Sequence, residues 1–206
     1  IKKIGINILY TPHKIIGEDY INSIKIIGCP LYAVNFEDKN RNKVFRNISD
    51  FRNNKRKYLY SFIGAYQPDY LTFIRLNIFQ MEHENDCYIK NTGEWFFNDN
   101  VYRNKNVVKN NDTDEYNNVL IQSVFSLCPS GTGPNSIRLW ESLACGSIPV
   151  LLSDKLDLPK HDLWDKSIIK IYEADILSMP NILRSIPYDE IMLRRDNCLT
   201  IYSDFK

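Results

Sequence analysis

Residues Ser123 to Asp154 read SVFSLCPSGTGPNSIRLWESLACGSIPVLLSD, and the fold is decided there. A β-rich apolar run, Val124 to Cys128, enters a loop of Pro, Ser and Gly spanning Pro129 to Asn135. Ser136 then stands where a helix N-cap belongs. Ile137, Trp140, Leu143 and Ala144 recur at helical spacing, and Gly146 is placed to stop the helix. Ile148 to Leu152 is a continuous apolar run, the pattern of a strand buried on both faces. Strand, glycine-bearing loop, helix and second strand make a right-handed βαβ crossover. Its loop leads into a helix N-terminus at the carboxyl edge of a parallel sheet.

A helix N-terminus presents backbone N–H groups with no partner inside the helix, backed by roughly half a positive charge from the aligned peptide dipoles. Phosphate binds well in such a place. Gly131 and Gly133 let backbone come close to a ligand, and the Ser130, Thr132 and Ser136 hydroxyls add donors beside Asn135. One turn along, Arg138 and Glu141 lie three apart, off the face of Ile137, Trp140 and Leu143. The arginine suits a phosphate and the carboxylate suits vicinal hydroxyls of a ribose or sugar. On spacing alone, the same two residues equally make a surface ion pair.

Outward from this unit, Ile4 to Tyr10, Ile24 to Ile27 and Leu31 to Val34 are strand candidates, with a mixed segment at Thr11 to Asn22. Between Lys39 and Lys57 the chain is basic and rich in asparagine, carrying Arg41, Lys43, Arg46, Arg52, Lys55, Arg56 and Lys57. This reads as a solvated linker or surface helix; the other reading is a polyanion-binding patch. From Tyr58 strands and helices alternate. Tyr58 to Ile63 is a strand ending at Gly64, and a helix over about Asp69 to Met81 carries Arg75 off its apolar face. Cys87 to Lys90 is a further strand candidate, Trp95, Phe96 and Phe97 form an aromatic plug, and Asn100 to Thr113 is a polar loop before a helix at Tyr116. Beyond the central unit come a loop at Lys155 to Asp165, a strand at Ile168 to Tyr172, and helices near Pro180 to Ile186 and Asp189 to Ser203. The pattern predicts an α/β fold with a Rossmann-like, mostly parallel sheet over residues 58–206, preceded by an N-terminal segment at 1–57.

The string from Cys128 to Asp154, followed by Leu158, Pro159 and Trp164, resembles the signature of the exostosin-like glycosyltransferase family. Ser136, Arg138, Glu141, Leu143, Gly146, Ile148, Pro149, Val150, Ser153 and Asp154 match it. Ile137 stands in place of an aromatic residue, and Ser142 in place of another small one. Phe62 and Gly64 with Arg75 downstream, and Tyr116, Leu120, Ser123 and Phe125, match in order, so the resemblance covers roughly residues 58 to 190. It implies the donor-binding half of the two-domain GT-B architecture, with 1–57 a short or truncated acceptor-side domain. It also implies a nucleoside-diphosphate sugar, most often UDP-linked, as donor, a glycan hydroxyl as acceptor, and inversion at the anomeric carbon. On this reading Arg75, the loop residues, Arg138, Glu141 and Asp154 hold the donor. No metal or other cofactor is then expected, because positive charge for the departing diphosphate is already supplied. The alternatives are metal binding at Asp112 and Asp114, the Asp-x-Asp pattern of a different glycosyltransferase class, and a module that holds nucleotide sugar without transfer. The base has no motif behind it: Asp69, following the Gly64 loop, ranks first, with Asp19, Glu18 and His13 as further candidates.

Composition bounds these expectations. The 206 residues are 44% hydrophobic and 13% aromatic, a globular chain able to bury a sizeable core. A net charge of +1 gives no argument for nucleic acid or a membrane surface. No apolar run approaches the ~18 residues that cross a bilayer. Cys29, Cys87, Cys128, Cys145 and Cys198 are scattered without a paired motif. That favours free thiols in a reducing compartment over zinc or disulfides, while the family resemblance allows a fragment from the Golgi lumen.

Overall fold

A computed structural model describes residues 5–93 and 110–206. The elements are β1 (Ile8–Thr11), β2 (Tyr20–Ile21), β3 (Ile24–Gly28), α1 (Val34–Glu37), α2 (Lys43–Arg46), β4 (Tyr58–Gly64), α3 (Ile74–Gln80) and β5 (Tyr88–Asn91). They continue with α4 (Asn110–Ile121), β6 (Ser123–Pro129), α5 (Ile137–Cys145), β7 (Ile148–Leu152), β8 (Ile169–Lys170), α6 (Met179–Ser185) and α7 (Tyr188–Phe205). Short 3-10 turns lie at Trp164–Lys166 and Glu173–Ser178.

Strands β5, β4, β6, β7 and β8 form, in that order, one all-parallel sheet, as the βαβ reading predicts. Strands β6 and β7 pair from Phe125 opposite Ile148 to Pro129 opposite Leu152, with α5 as their crossover. All five residues of β7 are buried, the signature of a strand covered on both faces. The core is built from Tyr60, Phe62, Phe125, Leu127, Val150 and Leu152 of the sheet, packed against Leu139, Trp140 and Leu143 of α5. The last helix, α7, lies on α5 through Cys198 and Ile201, both fully buried, and Phe205 meets the Trp140 ring edge-on at 5.6 Å. Because every strand of the sheet runs the same way, the loops after β4, β6, β7 and β8 all open on one edge.

The N-terminal residues form a separate three-stranded sheet in the order β1, β3, β2. Its hairpin turns on Asn22 and Ser23, both at positive φ, the two-residue geometry that matches strand twist. Between β1 and β2 the chain crosses to the main sheet: Ile15 bridges Leu156, and the Ile16 amide donates to the Lys155 carbonyl. Residues 12–16 therefore sit directly over the loop that follows β7.

Several local expectations change. Leu31 to Val34 is not a strand; Val34 opens the α1 turn, because the Asn35 N–H is drawn to the buried Glu141 carboxylate 2.9 Å away. The predicted helix from Asp69 begins only at Ile74: the Leu71 amide donates to the Gly131 carbonyl, which holds residues 69–73 in turns. Residues 110–113, expected in a loop, are the first turn of α4. The Trp95 to Phe97 plug lies outside the described residues. The basic stretch is more than a solvated linker: Phe45 is 3% exposed and, with Phe51, packs on Leu120, Ile121 and Cys145. Of its charges, Arg56 is turned inward onto main-chain carbonyls and Arg52 pairs with Asp196 at 2.5 Å. All five cysteines are free thiols, three of them buried. Among the described residues no helix is long and apolar enough to cross a membrane.

Candidate functional site

Ser136 is the N-cap of α5, extended at φ −132° and ψ 137°, as its place in the sequence predicts, but its hydroxyl makes no capping bond. Asn135 does that work instead. Its Oδ1 accepts the Ser136 amide at 2.8 Å and the Trp140 indole N–H at 3.3 Å, while its Nδ2 donates to the Pro12 carbonyl at 2.7 Å. The next two amides, of Ile137 and Arg138, find no acceptor among the described residues. They are the donors that a helix N-terminus offers to an anion.

The glycines of the loop make room for side chains. A Cβ on Gly131 would stand 2.9 Å from Arg75 Nη2, and one on Gly133 would stand 2.6 Å from His13 Nδ1. Arg75 reaches over from α3, donating from Nε to the Ser130 carbonyl at 2.8 Å and from Nη1 to the Ala65 carbonyl at 3.1 Å. Burial, and the charge of Arg138 nearby, lower its pKa to about 10, so it stays cationic at neutral pH. Arg138 is 8% exposed; its guanidinium lies 4.5 Å over the Phe62 ring and donates to the Ile63 carbonyl. Arg75 approaches the same ring at 5.7 Å and the Tyr70 ring at 4.8 Å. Among the described residues neither guanidinium has a carboxylate within 4.0 Å. Two mutually repelling cations thus lack a close ion-pair partner: carbonyl oxygens and ring faces surround them, and Glu141 acts on Arg138 only through space.

Glu141 is placed differently from its arginine neighbour. It is 1% exposed, and its two oxygens accept the Asn35 N–H at 2.9 Å and the Tyr116 hydroxyl at 2.6 Å. Burial raises its pKa, against the pull of those two bonds and of Arg138. Neither residue belongs to a surface ion pair. Thr132 is exposed, Ser136 and Gly133 are half-buried, and Ser130 is buried with its hydroxyl 2.9 Å from that of Thr72. Asp154, after β7, is exposed and accepts the Glu173 amide at 3.1 Å.

The base candidates separate. His13 lies against the glycine loop, its Nδ1 accepting the Asn135 amide over a long 3.4 Å; partial burial lowers its pKa. The neutral ring then carries its proton on Nε2, and the basic nitrogen is already engaged. Asp19 is exposed and paired at 2.7 Å with Lys14, which holds its pKa down and weakens it as a base. Lys14 also binds Asp157 at 2.6 Å, pinning this crossing to the loop after β7. Glu18 is exposed beside it, and Asp69 is exposed in the turns after β4. Asp112 and Asp114 lie on α4, where residues two apart point to different sides, so they do not converge on one cation. Among the described residues no group of three or more His, Cys, Asp or Glu is placed to hold a metal ion.

The sequence reading missed Tyr116 as the partner of Glu141, and Glu173 at the far side of the cleft. Glu173 opens the turn after β8, half-buried, with Oε1 3.4 Å from the Ser130 hydroxyl. Its pKa is raised chiefly by burial.

An Exostosin-1 homolog of Caenorhabditis elegans is 28% identical over 196 residues, covering 89% of this chain and 50% of that protein. A protein of Oryza sativa subsp. japonica named "Probable glucuronosyltransferase" is 41% identical over 76 residues, or 36% of this chain and 18% of its own length. Exostosin-1c of Danio rerio is 31% identical over 93 residues, 44% of this chain and 13% of that protein. The chain therefore spans half or less of the length of these relatives. A family model, the Exostosin GT47 domain, matches residues 2–186, and the chain belongs to that family.

Proposed function

We propose that this chain is the nucleotide-sugar-binding part of a glycosyltransferase that moves a sugar from a nucleoside-diphosphate donor, UDP-linked, to a hydroxyl of a glycan acceptor. The observation that carries this reading is the pairing of two carboxylate-free guanidiniums, Arg75 and Arg138, with the open amides of Ile137 and Arg138. A diphosphate satisfies both sets at once: its charge relieves the repulsion of the arginines, and its oxygens accept the amides. The family and its glucuronosyltransferase-named members support the same direction.

In the reaction the acceptor oxygen bonds to the anomeric carbon as the bond from that carbon to the diphosphate oxygen breaks, with inversion. The acceptor proton goes to a base, and the electron pair leaves on the diphosphate. That developing charge falls on Arg75, Arg138 and the helix dipole, which act most strongly where water is excluded. No divalent cation is then needed to neutralise the leaving group. The acceptor would enter from the side on which residues 12–16 cross the loops.

The test is stabilisation by ligand. UDP at 100 times its Kd should raise stability by about 2.7 kcal/mol, UMP and uridine progressively less, and the UDP effect should persist in excess EDTA. Absence of any shift with UDP, or with the other nucleoside diphosphates, overturns the reading. Loss of turnover in EDTA with rescue by manganese overturns its metal-free form. The variant Arg75→Ala should lose most of the UDP effect while leaving the uridine effect in place.

A further inference from the structure

One half-buried acid at the carboxyl edge, Glu173, stands apart from the two arginines, and four loops converge on it. Glu173 follows β8; its amide is held by Asp154, which follows β7. Its Oε1 faces the hydroxyl of Ser130, which follows β6, at 3.4 Å. Thr72, in the turns after β4, bonds that hydroxyl at 2.9 Å and favours the ionised form of the Glu173 carboxyl. Ser130 is 1% exposed, and its carbonyl is the one that takes Arg75 Nε. A single residue thus joins the cationic side of the cleft to this acidic side. One position before Asp154, Ser153 is 5% exposed and its buried hydroxyl has no hydrogen-bond partner among the described residues, an unmet demand at the same sheet edge.

Among the described residues Glu173 has no lysine or arginine within 4.0 Å; the Thr72 and Ser130 hydroxyls and the Asp154 amide offset its partial burial, while the Asp154 carboxylate opposes its charge. A carboxylate there repels phosphate, so a bound diphosphate is confined to the Arg75 and Arg138 side. What approaches Glu173 must bring hydrogen-bond donors or positive charge. A sugar meets that description, since each hydroxyl brings one O–H and a carboxylate accepts a vicinal pair. We infer that Glu173, held by Ser130, Thr72 and Asp154, accepts hydrogen bonds from hydroxyls of the sugar carried on the nucleotide and so helps to select that sugar. This rests on the nucleotide-sugar reading of the site.

The experiment compares UDP with UDP-glucose, UDP-galactose, UDP-xylose, UDP-N-acetylglucosamine and UDP-glucuronic acid by titration calorimetry on the chain and its Glu173→Ala and Glu173→Gln variants. In the unaltered chain the preferred sugar nucleotide should bind about tenfold tighter than UDP. Glu173→Ala should erase most of that increment while UDP itself changes by less than about twofold. Glu173→Gln keeps the shape and some hydrogen-bonding capacity, so it should retain the fold and part of the increment. Equal losses for UDP and UDP-sugar would show a merely structural role and overturn the inference. So would an increment that survives in folded variants, or an unaltered chain that binds UDP but no sugar nucleotide more tightly. Failure of the unaltered chain to bind UDP at all would instead remove the nucleotide reading and this inference with it.

Discussion

At its carboxyl end α5 is closed. Gly146 sits at φ 66°, its amide donates to the Leu143 carbonyl and that of Ser147 to Ser142, the two bonds of a Schellman cap. Arg56 then donates to the Cys145 carbonyl at 2.8 Å and to Phe51 at 3.0 Å. At its amino end the same helix has its first amide met by Asn135, the next two open among the described residues, and two guanidiniums, Arg75 and Arg138, that lack a close ion-pair partner there. One end is satisfied by the protein and the other waits for an anion. Stability and binding are therefore separable by the end that is altered.

The largest effect should come from the closed end. Arg56→Ala removes a guanidinium that burial already holds down to a pKa of about 10 and strips the Cys145 carbonyl of that partner. A loss of about 2–3 kcal/mol is expected in urea denaturation, with UDP affinity of the folded fraction unchanged. A parallel loss of affinity would erase the distinction between the ends.

The open end should respond the other way. Gly131→Ala places a Cβ 2.9 Å from Arg75 Nη2, the far end of a flexible side chain that swings aside cheaply. Stability should fall by less than about 1 kcal/mol, yet UDP affinity should drop about tenfold, because the displaced cation leaves the diphosphate. A variant destabilised without loss of affinity would make the glycine a packing residue only.

This contrast also explains what could be read in advance. Periodicity and Gly146 announce β6, α5 and β7, since that unit is built from neighbours in sequence and buried on all sides. The glycine loop was legible as a close-approach site, although the groups it admits, Arg75 and His13, come from distant segments. Glu141 reads as a ligand beside Arg138 from local spacing, and the partners that hold it here, Tyr116 and Asn35, lie 25 and 106 residues away, beyond the reach of any local pattern. Glu173 gave no signal beyond an acid after a short apolar strand; only the sheet order brings it to Ser130.

The smallest expected effect concerns the middle of the helix, where Glu141 belongs to neither end. Burial raises its folded pKa above the ordinary 4.5, so its contribution to stability is complete below that value and is lost as pH rises through the folded one. The Tyr116 hydroxyl opposes that rise by donating to the carboxylate. Tyr116→Phe should thus cost more at pH 7 than at pH 5, by about 1 kcal/mol, when denaturation midpoints are compared at the two values. Equal costs at both would mean that Glu141 does not draw on this hydroxyl for its charge. Its charge would then rest on the Asn35 N–H and on Arg138, which stands at the open end, and the clean division between the two ends of α5 would give way to a site running along the helix.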